Sequence, residues 1–131
     1  MKVLHVTHDW KWTGPAEPML RLCGALRERG HEVSLVCPEP PEARRSLAGE
    51  ARAAGLAPTA TLSRAPGPLG LGAADDVAAL AAAIGEARPD VVHAWHTRDH
   101  LLALRARRAV PRDARPRIVR SLRSADRVPA T

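Results

Sequence analysis

The segment HDWKWTGP, residues 8–15, concentrates polar and aromatic residues directly before a predicted helix. A glycine at this place, Gly14, lets a ligand approach the backbone. The exposed amides and the dipole at a helix N-terminus favour a phosphate. A turn glycine that only precedes a helix is an equally good interpretation. The dinucleotide fingerprint needs three glycines spaced G-x-G-x-x-G, and this loop has one, which argues against NAD or FAD.

A second polar segment, residues 95–98, follows a predicted strand. His93, His96 and His100 have a spacing that resembles a metal site, but strand alternation puts the first two on opposite faces, so we expect no metal. His93 and His5 are predicted to be core histidines with satisfied hydrogen bonds, whereas His96, at the strand end, could meet a ligand. No Ser-His-Asp or Cys-His arrangement has support in the sequence.

Alternating strands and helices have to position these segments. The strand patterns are short hydrophobic runs at residues 2–7, 31–37, 56–62, 90–95 and 118–122. The helical patterns cover residues 16–29, 41–54, a stretch that begins at Asp75 and Asp76, and 98–109. Such alternation implies right-handed crossovers and a parallel sheet with helices on both faces. The sequence therefore predicts one three-layer, Rossmann-like α/β domain over residues 1–131, with strand order 3-2-1-4-5.

Residue types at the predicted helix ends support these boundaries. Gly30 follows the first helix, at a position that often adopts a left-handed conformation. Pro40 and Pro41 suit the first turn of the second helix, and Thr97 could cap the fourth. Proline and glycine punctuate residues 64–70, which we expect to form a loop.

The predicted strand order indicates where a ligand would bind. In an open parallel sheet, ligands bind outside the carboxyl ends of the strands, near the point where the strand order reverses. In the order 3-2-1-4-5 that point lies between the first and fourth strands. We therefore expect residues 8–14 and residues 95–98 to line one crevice.

The charge of the chain is positive and unevenly distributed. The 131 residues have a formal net charge of +6, and only Lys2 and Lys11 among the 20 basic residues are lysines. Residues 98–131 hold 10 basic and 3 acidic residues, whereas residues 1–97 hold 10 and 11. The basic segment is either a solvated arginine-rich face or an interface with phosphate, anionic lipid or another domain. A single-strand nucleic-acid binder normally uses aromatic side chains for stacking, and with three Trp and no Tyr or Phe the chain has few of them, so we expect no nucleic-acid partner.

Cysteine use and hydropathy indicate a location for the chain. Cys23 and Cys37 are too few and too far apart for a disulfide framework, so we predict buried thiols. No run reaches the roughly 18 apolar residues that a membrane-spanning helix requires. The apolar stretch at the N-terminus is too short for a signal peptide. These features predict a cytoplasmic chain.

Three motifs stand in a consistent order along the chain. GPAE at residues 14–17 precedes a helix with leucines at 20, 22 and 26, RGHEV occupies residues 29–33, and RPDVVHA occupies residues 88–94. In this order and spacing, the chain resembles the N-terminal domain of the family-four glycosyltransferases of the GT-B fold. The resemblance covers nearly the whole chain.

The resemblance implies two Rossmann-like domains with the active site between them, of which this chain would be the acceptor-binding half. The C-terminal domain of such enzymes holds most nucleotide-sugar contacts, including a pair of glutamates. Because the chain stops at Thr131, we expect that domain to be absent and the chain alone to be inactive. The implied reaction is retaining transfer of a sugar from a nucleotide-sugar donor to a sugar or lipid-linked acceptor. The nucleotide sugar is a substrate, and no cofactor is expected.

The resemblance also implies roles for residues at the strand ends, although no catalytic residue is identified. The donor phosphates would face Thr13, Gly14 and Pro15. The acceptor would lie against Trp12, Trp95 and His96, with Arg98 or Arg123 holding an anionic group.

Two positions depart from the family pattern. The usual second glycine of the first loop is Pro15 here, which removes one amide donor. After the fifth strand the family often has Thr-x-His, and this chain has Ser121, Leu122 and Arg123. The usual histidine is therefore missing, and Arg123 could instead pair with a phosphate.

A different class of function also fits the sequence. A non-catalytic α/β module could use residues 98–131 to dock a polyanion, an anionic membrane or a partner protein. Peripheral contact with the inner face of a membrane is compatible with either function. Docking to a polyanion weakens steeply with salt, which separates the two hypotheses.

Overall fold

A computed structural model describes residues 1–64 and 73–121, which form a parallel β-sheet with helices on both faces. The strands are β1 (Lys2–Val6), β2 (Glu32–Pro38), β3 (Ala60–Leu62), β4 (Val91–Ala94) and β5 (Arg117–Arg120). The helices are α1 (Ala16–Glu28), α2 (Leu47–Ala53), α3 (Ala73–Ala87) and α4 (Thr97–Arg108), with a 3-10 turn at Arg112–Ala114. The strand order is β3-β2-β1-β4-β5, and every pair is parallel, which confirms the predicted fold and order.

The central strand, β1, has the neighbours that decide where a ligand can bind. It pairs with β2 on one side and with β4 on the other, so that His5 lies between Leu35 and His93. The strand order reverses at the β1–β4 pair. The loops that follow these two strands therefore leave the same edge of the sheet side by side.

Alternation along the strands divides the core into two layers. On one face of the sheet, Leu4, Val36 and Val92 pack with buried residues of α3 and α4. On the other face, Leu35 and Cys37 pack with buried residues of α1 and α2. The middle strands are therefore buried on both faces, which explains their continuous hydrophobic runs.

The second helix begins later than the sequence predicted. It starts at Leu47 rather than near Pro40 and Pro41, and Ser46 is its N-cap, with an Oγ that accepts a 3.0 Å hydrogen bond from an amide of the first turn. The backbone of Ser46 forms an isolated antiparallel bridge with Lys11. This pairing holds the preceding residues in a non-helical conformation, so that the helix can begin only after it.

The Ser46 cap gives a testable contribution to stability. Ser46→Ala should lower the free energy of unfolding by about 1 kcal/mol, because the first turn of α2 loses its side-chain acceptor. Ser46→Gly should cost only roughly 0.3 kcal/mol, since glycine is tolerated at this position. Urea unfolding followed by circular dichroism measures both values. Equal losses in the two variants would show that the hydroxyl does not cap the helix.

The fourth helix differs from prediction at its start. It begins at Thr97, so that His96 occupies the cap position predicted for Thr97. The Thr97 hydroxyl has another partner, because its Oγ1 accepts a hydrogen bond of 2.7 Å from the Arg120 guanidinium. Thr97 therefore ties α4 to β5 instead of capping its own helix.

The outer strands are shorter than predicted. β3 covers Ala60–Leu62 rather than residues 56–62, because the Leu56 amide donates to the Ala51 carbonyl at 2.8 Å and so closes α2. β5 is Arg117–Arg120 rather than residues 118–122. Most of the predicted loop at 64–70, together with residue 122, lies outside the described residues.

Two other predictions are confirmed. Gly30 follows α1 with a φ of +87°, in the left-handed region. Cys23 and Cys37 are buried and form no disulfide, and burial raises the pKa of both thiols to about 12. Neither cysteine is a thiolate near neutral pH.

Within residues 1–64 and 73–121, no helix has both the length and the apolar character needed to cross a membrane.

Candidate functional site

The loops after β1 and β4 meet at the carboxyl edge of the sheet. The His8 amide donates a hydrogen bond of 2.9 Å to Asp99 Oδ1, and His8 Nδ1 lies 2.7 Å from the same oxygen. These bonds join the loop after β1 directly to the first turn of α4. Residues 8–14 and 95–98 therefore lie at one edge of the sheet, as the sequence predicted.

His8 also contacts the first turn of α3. Its Nε2 lies 3.2 Å from Asp76 Oδ2, and Asp76 accepts hydrogen bonds of 2.8 Å from both the amide and the hydroxyl of Ser63. Asp99 is 0% exposed and Asp76 is 5% exposed. The four residues, called the His8 cluster below, tie the ends of β1 and β3 to the N-termini of α3 and α4.

The electrostatics of the cluster favour a charged imidazole. Burial alone would lower the pKa of His8, but the hydrogen bonds and negative charges of Asp99 and Asp76 outweigh it and raise this pKa above 6.5. Both ring nitrogens then donate, one to each carboxylate. The His8 side chain is only 9% exposed, so it holds the loop in place and offers little surface to a ligand.

Trp95 is anchored on the sheet. Its Nε1 donates a hydrogen bond of 3.0 Å to His5 Nδ1, and its ring stacks on His93 with centroids 4.5 Å apart and 9° between the planes. Ser121 Oγ lies 2.5 Å from Nε2 of the same His93. Two histidines therefore set the orientation of the half-buried indole.

His5 is a buried neutral histidine. Burial, together with the neighbouring His93, lowers the pKa of His5 to about 3, and burial also lowers that of His93. Because His5 Nδ1 accepts from Trp95, the ring proton sits on Nε2, which is buried and has no hydrogen-bond partner among the described residues. The adjacent position on β2 is Leu35, whose side chain offers no acceptor. The prediction of satisfied core histidines is therefore wrong for one nitrogen of His5, whereas His93 is half-buried and its Nε2 has a partner in Ser121.

The turn before α1 offers few amides to a phosphate. Gly14 is exposed with a φ of +58°, a conformation that side chains with a Cβ rarely adopt. Pro15 and Pro18 carry no N–H, and the Ala16 amide is bonded to the Thr13 carbonyl at 3.3 Å. The Gly14 amide and one amide of the first helical turn remain for a ligand.

A pocket lies between this loop and the segment that precedes α2. It has a volume of about 510 Å³ and is lined by Trp10, Lys11, Trp12, Thr13, Arg44 and Arg45. The Arg45 guanidinium lies 5.5 Å from the centre of the Trp12 ring, and the Arg44 guanidinium lies 5.9 Å from that of Trp10. We call it the tryptophan–arginine pocket.

Backbone pairing fixes the two walls of this pocket. Lys11 and Ser46 form the isolated bridge, and the Leu47 amide donates a hydrogen bond of 3.0 Å to the Trp10 carbonyl. The Lys11 amide donates to Asp9 Oδ1 at 3.1 Å, which shapes the loop locally. The walls are therefore joined by contacts within the chain.

The pocket combines predicted and unpredicted residues. Trp12 and Thr13, both predicted for the site, line it. Trp10 and Lys11 lie within residues 8–14, for which the sequence predicted a crevice, but neither was assigned a role, and sequence reasoning missed Arg44 and Arg45. The available signal was the alternation of tryptophan and lysine in WKW, together with the paired arginines that the sequence assigned to a helix over residues 41–54.

The remaining predicted residues lie elsewhere. Trp95 packs on the sheet, His96 is the N-cap of α4, and half-buried Arg98 lies in the first turn of that helix. None of the three lines the tryptophan–arginine pocket. Arg123 lies outside the described residues. In residues 1–64 and 73–121, no group of three or more His, Cys, Asp or Glu side chains could hold a metal ion.

The chain is similar to a known family over most of its length. The family model Glycosyltransferase Family 4 matches residues 13–128. The matched span begins in the loop after β1 and includes α1 and every later element of the sheet. No curated protein matches the chain.

Proposed function

Because the chain belongs to glycosyltransferase family 4, as an N-terminal domain, we propose that it takes part in retaining transfer of a sugar from a nucleotide-sugar donor to an acceptor. In this proposal the chain supplies the acceptor side, and turnover requires a donor-binding C-terminal domain. One observation carries the proposal. The loop with Gly14 and the tryptophan–arginine pocket adjoin each other at the end of β1, the strand where the sheet order reverses.

The turn before α1 would act on the donor. Negative charge develops on the leaving nucleoside diphosphate, and the positive end of a helix dipole stabilises such charge. The Gly14 amide and one amide of the first turn would contact the phosphates. With Pro15 at the next position, this contribution is smaller than in a loop with two glycines.

The His8 cluster would hold the two sides of the cleft in register. It fixes the loop after β1 to the first turn of α4, next to His96 and Arg98. Trp95 is fixed in the same way by His5 and His93. Residues at this edge of the sheet are thus held by buried neighbours, which is what a preorganised site requires.

Gly14→Val tests the role of the first loop. In the chain fused to the C-terminal domain of a family member, we expect kcat/KM for sugar transfer to fall at least about tenfold, which corresponds to roughly 1.4 kcal/mol. The added side chain would cover the backbone where the phosphates approach, and the φ of +58° would have to change. Transfer of a radiolabelled sugar from a panel of nucleotide sugars measures the effect.

Gly24→Val is the matched control. Gly24 lies in α1, is exposed, and a Cβ there would meet nothing within 4 Å, so the fused enzyme should transfer sugar at nearly the rate of the parent. Equal rates for Gly14→Val and its control would remove Gly14 from the donor site.

The docking-module alternative is less well supported by the described part of the basic segment. Arg107 Nε donates to the Pro116 carbonyl and Arg115 Nε to the Val110 carbonyl, each at 2.9 Å. Arg120 donates to Thr97. These three arginines hold the fold together. Binding of the chain to anionic vesicles that declines steeply with salt would favour docking over transfer.

A further inference from the structure

We propose that the tryptophan–arginine pocket binds a sugar phosphate, that is, a phosphate monoester on a hydroxylated, non-aromatic ring. The phosphate would be held by Lys11, Arg44 and Arg45, and the ring would lie against Trp10 and Trp12. Identification of this ligand as the sugar acceptor rests on the proposed function, whereas its binding in the pocket does not.

The charge of the pocket calls for an anion. Its lining contains three cations and no carboxylate. Within the described part of the chain, neither Lys11 Nζ nor the Arg44 guanidinium forms an ion pair. Arg45 uses its Nε for Glu50, at 2.7 Å, and keeps its two terminal amino groups for another partner. The cations repel one another, and a phosphate dianion placed between them would offset that repulsion.

Each arginine of the pocket lies over an indole and still has N–H groups to donate to a phosphate. A cation–π contact with an indole, at 5.9 Å for Arg44 and 5.5 Å for Arg45, uses none of the guanidinium N–H donors in a hydrogen bond. Arg44 over Trp10 and Arg45 over Trp12 can therefore donate forked hydrogen bonds to phosphate oxygens. Because the backbone already joins the two walls, little ordering is needed when the ligand binds.

The indoles also indicate which kind of ring accompanies the phosphate. Arg45 lies over the Trp12 ring, and Trp12 packs against the core cluster of α1 and α2, so these contacts already cover part of this indole. A nucleobase binds by stacking on an open aromatic face. A sugar ring can use apolar edges together with hydrogen bonds, for which exposed Thr13 is available. The volume of about 510 Å³ lies within the range of roughly 300–1,000 Å³ typical of small-ligand pockets.

The aromatic composition makes the test direct. The chain has three Trp and no Tyr or Phe, so that a ¹⁵N-labelled sample gives one indole N–H signal each for Trp10, Trp12 and Trp95. Titration with glucose 6-phosphate or glucose 1-phosphate should shift the signals of Trp10 and Trp12 to saturation and leave that of Trp95 in place. Glucose alone and inorganic phosphate alone should each bind at least about tenfold more weakly, because each lacks one half of the contacts.

Two arginine variants provide the matched comparison. Arg44→Gln should weaken binding of the sugar phosphate about tenfold, the effect of losing a charge-assisted hydrogen bond. Arg21→Gln, on exposed α1 and paired with Glu17, removes the same charge outside the pocket and should leave the affinity unchanged. Circular dichroism shows whether both variants keep the fold.

Three results would overturn the proposal. They are equal affinities for glucose and its phosphates, an unchanged affinity in Arg44→Gln, and tighter binding of uridine monophosphate than of either sugar phosphate. The outcome is also separable from that of the proposed function. If the Trp10 and Trp12 signals shift to saturation but the fused enzyme does not glycosylate the sugar phosphate, then the pocket is a binding site and its ligand is not the acceptor. If the fused enzyme transfers sugar to another acceptor and the sugar phosphates shift no indole signal, then the proposed binding site is wrong and the proposed function stands.

Discussion

His8→Ala is expected to lower the free energy of unfolding by about 3–5 kcal/mol, the usual result of removing one partner from a buried ion pair. The change takes the cation from between Asp76 and Asp99, which are 5% and 0% exposed. Asp99 Oδ2 has no hydrogen-bond partner among the described residues, so in the variant Asp99 would keep the hydrogen bond from the amide of residue 8 but lose its positive partner. Urea unfolding at about pH 6, where the raised pKa keeps His8 protonated, measures the loss.

Two further variants separate the ion pairs from simple loss of a side chain. His100→Ala, on α4 and outside the cluster, should change stability by no more than about 0.5 kcal/mol. The double variant His8→Ala/Asp99→Asn should lose about 1–3 kcal/mol less of the free energy of unfolding than the sum of the two single variants. The reason is that Asp99→Asn removes the charge that His8→Ala leaves unpaired. Strictly additive losses would show that His8 and Asp99 do not act as a pair.

The same histidine should make the stability of the chain depend on pH above about 6.5. A group whose pKa is raised on folding stabilises the folded state fully below its unfolded pKa, here 6.5, and loses that contribution as the pH rises through the raised value. The free energy of unfolding of the parent chain should therefore decline above about pH 6.5 relative to that of His8→Ala. If the free energy of unfolding changes with pH in the same way for both proteins between about pH 6 and pH 9, the pairing of His8 with the two carboxylates is contradicted.

The fold could be predicted from sequence because the information is local. Each strand has its own hydrophobic run and each helix its own stripe, as in β2 and α1, and the order of elements then restricts the topology. The second helix shows the limit. Its start depends on the bridge between Ser46 and Lys11, a contact between distant segments that no local pattern contains.

The His8 cluster could not be predicted for a related reason. Asp76 and Asp99 read as acidic residues in the first turns of two helices, where the dipole alone explains them. His8 lies 68 and 91 residues away from them in sequence. The crossovers of the fold bring the three together, and a single sequence does not show which of its carboxylates will meet. The prediction that the loops after β1 and β4 leave the same edge of the sheet came from topology and was confirmed, whereas a crevice shared by residues 8–14 and 95–98 stays a prediction, and the chemistry at the junction required coordinates.

The tryptophan–arginine pocket was hidden by a wrong boundary. With the second helix placed over residues 41–54, Arg44 and Arg45 lie on a solvated helical face. In the structure the same residues precede α2, and they approach Trp10 and Trp12 across the loop. An error of a few residues at a helix start therefore concealed a binding surface, although the fold itself was predicted correctly.

Acidification from about pH 6.5 to about pH 3 is expected to destabilise the chain through His5, by up to about 5 kcal/mol at about 1.4 kcal/mol per pKa unit. The pKa of His5 falls from 6.5 to about 3 on folding, so over this interval the unfolded chain takes up a proton that the folded chain does not. His5→Gln removes the titration and keeps an acceptor for the Trp95 indole. Urea unfolding across this pH range should give a shallower acid dependence for the variant.

The opposite behaviour of His5 and His8, three residues apart at the end of one strand, follows from their surroundings. His8 meets two carboxylates and gains a proton easily, whereas His5 meets an indole, a second histidine and Leu35, none of which stabilises a positive charge. An NMR titration of the ring C–H signals distinguishes them directly: His5 should stay neutral until the chain unfolds or the pH nears 3, while His8 should stay charged above pH 6.5. If His5→Gln and the parent chain lose stability in acid at the same rate, then His5 is not the buried neutral group that the Trp95 hydrogen bond requires.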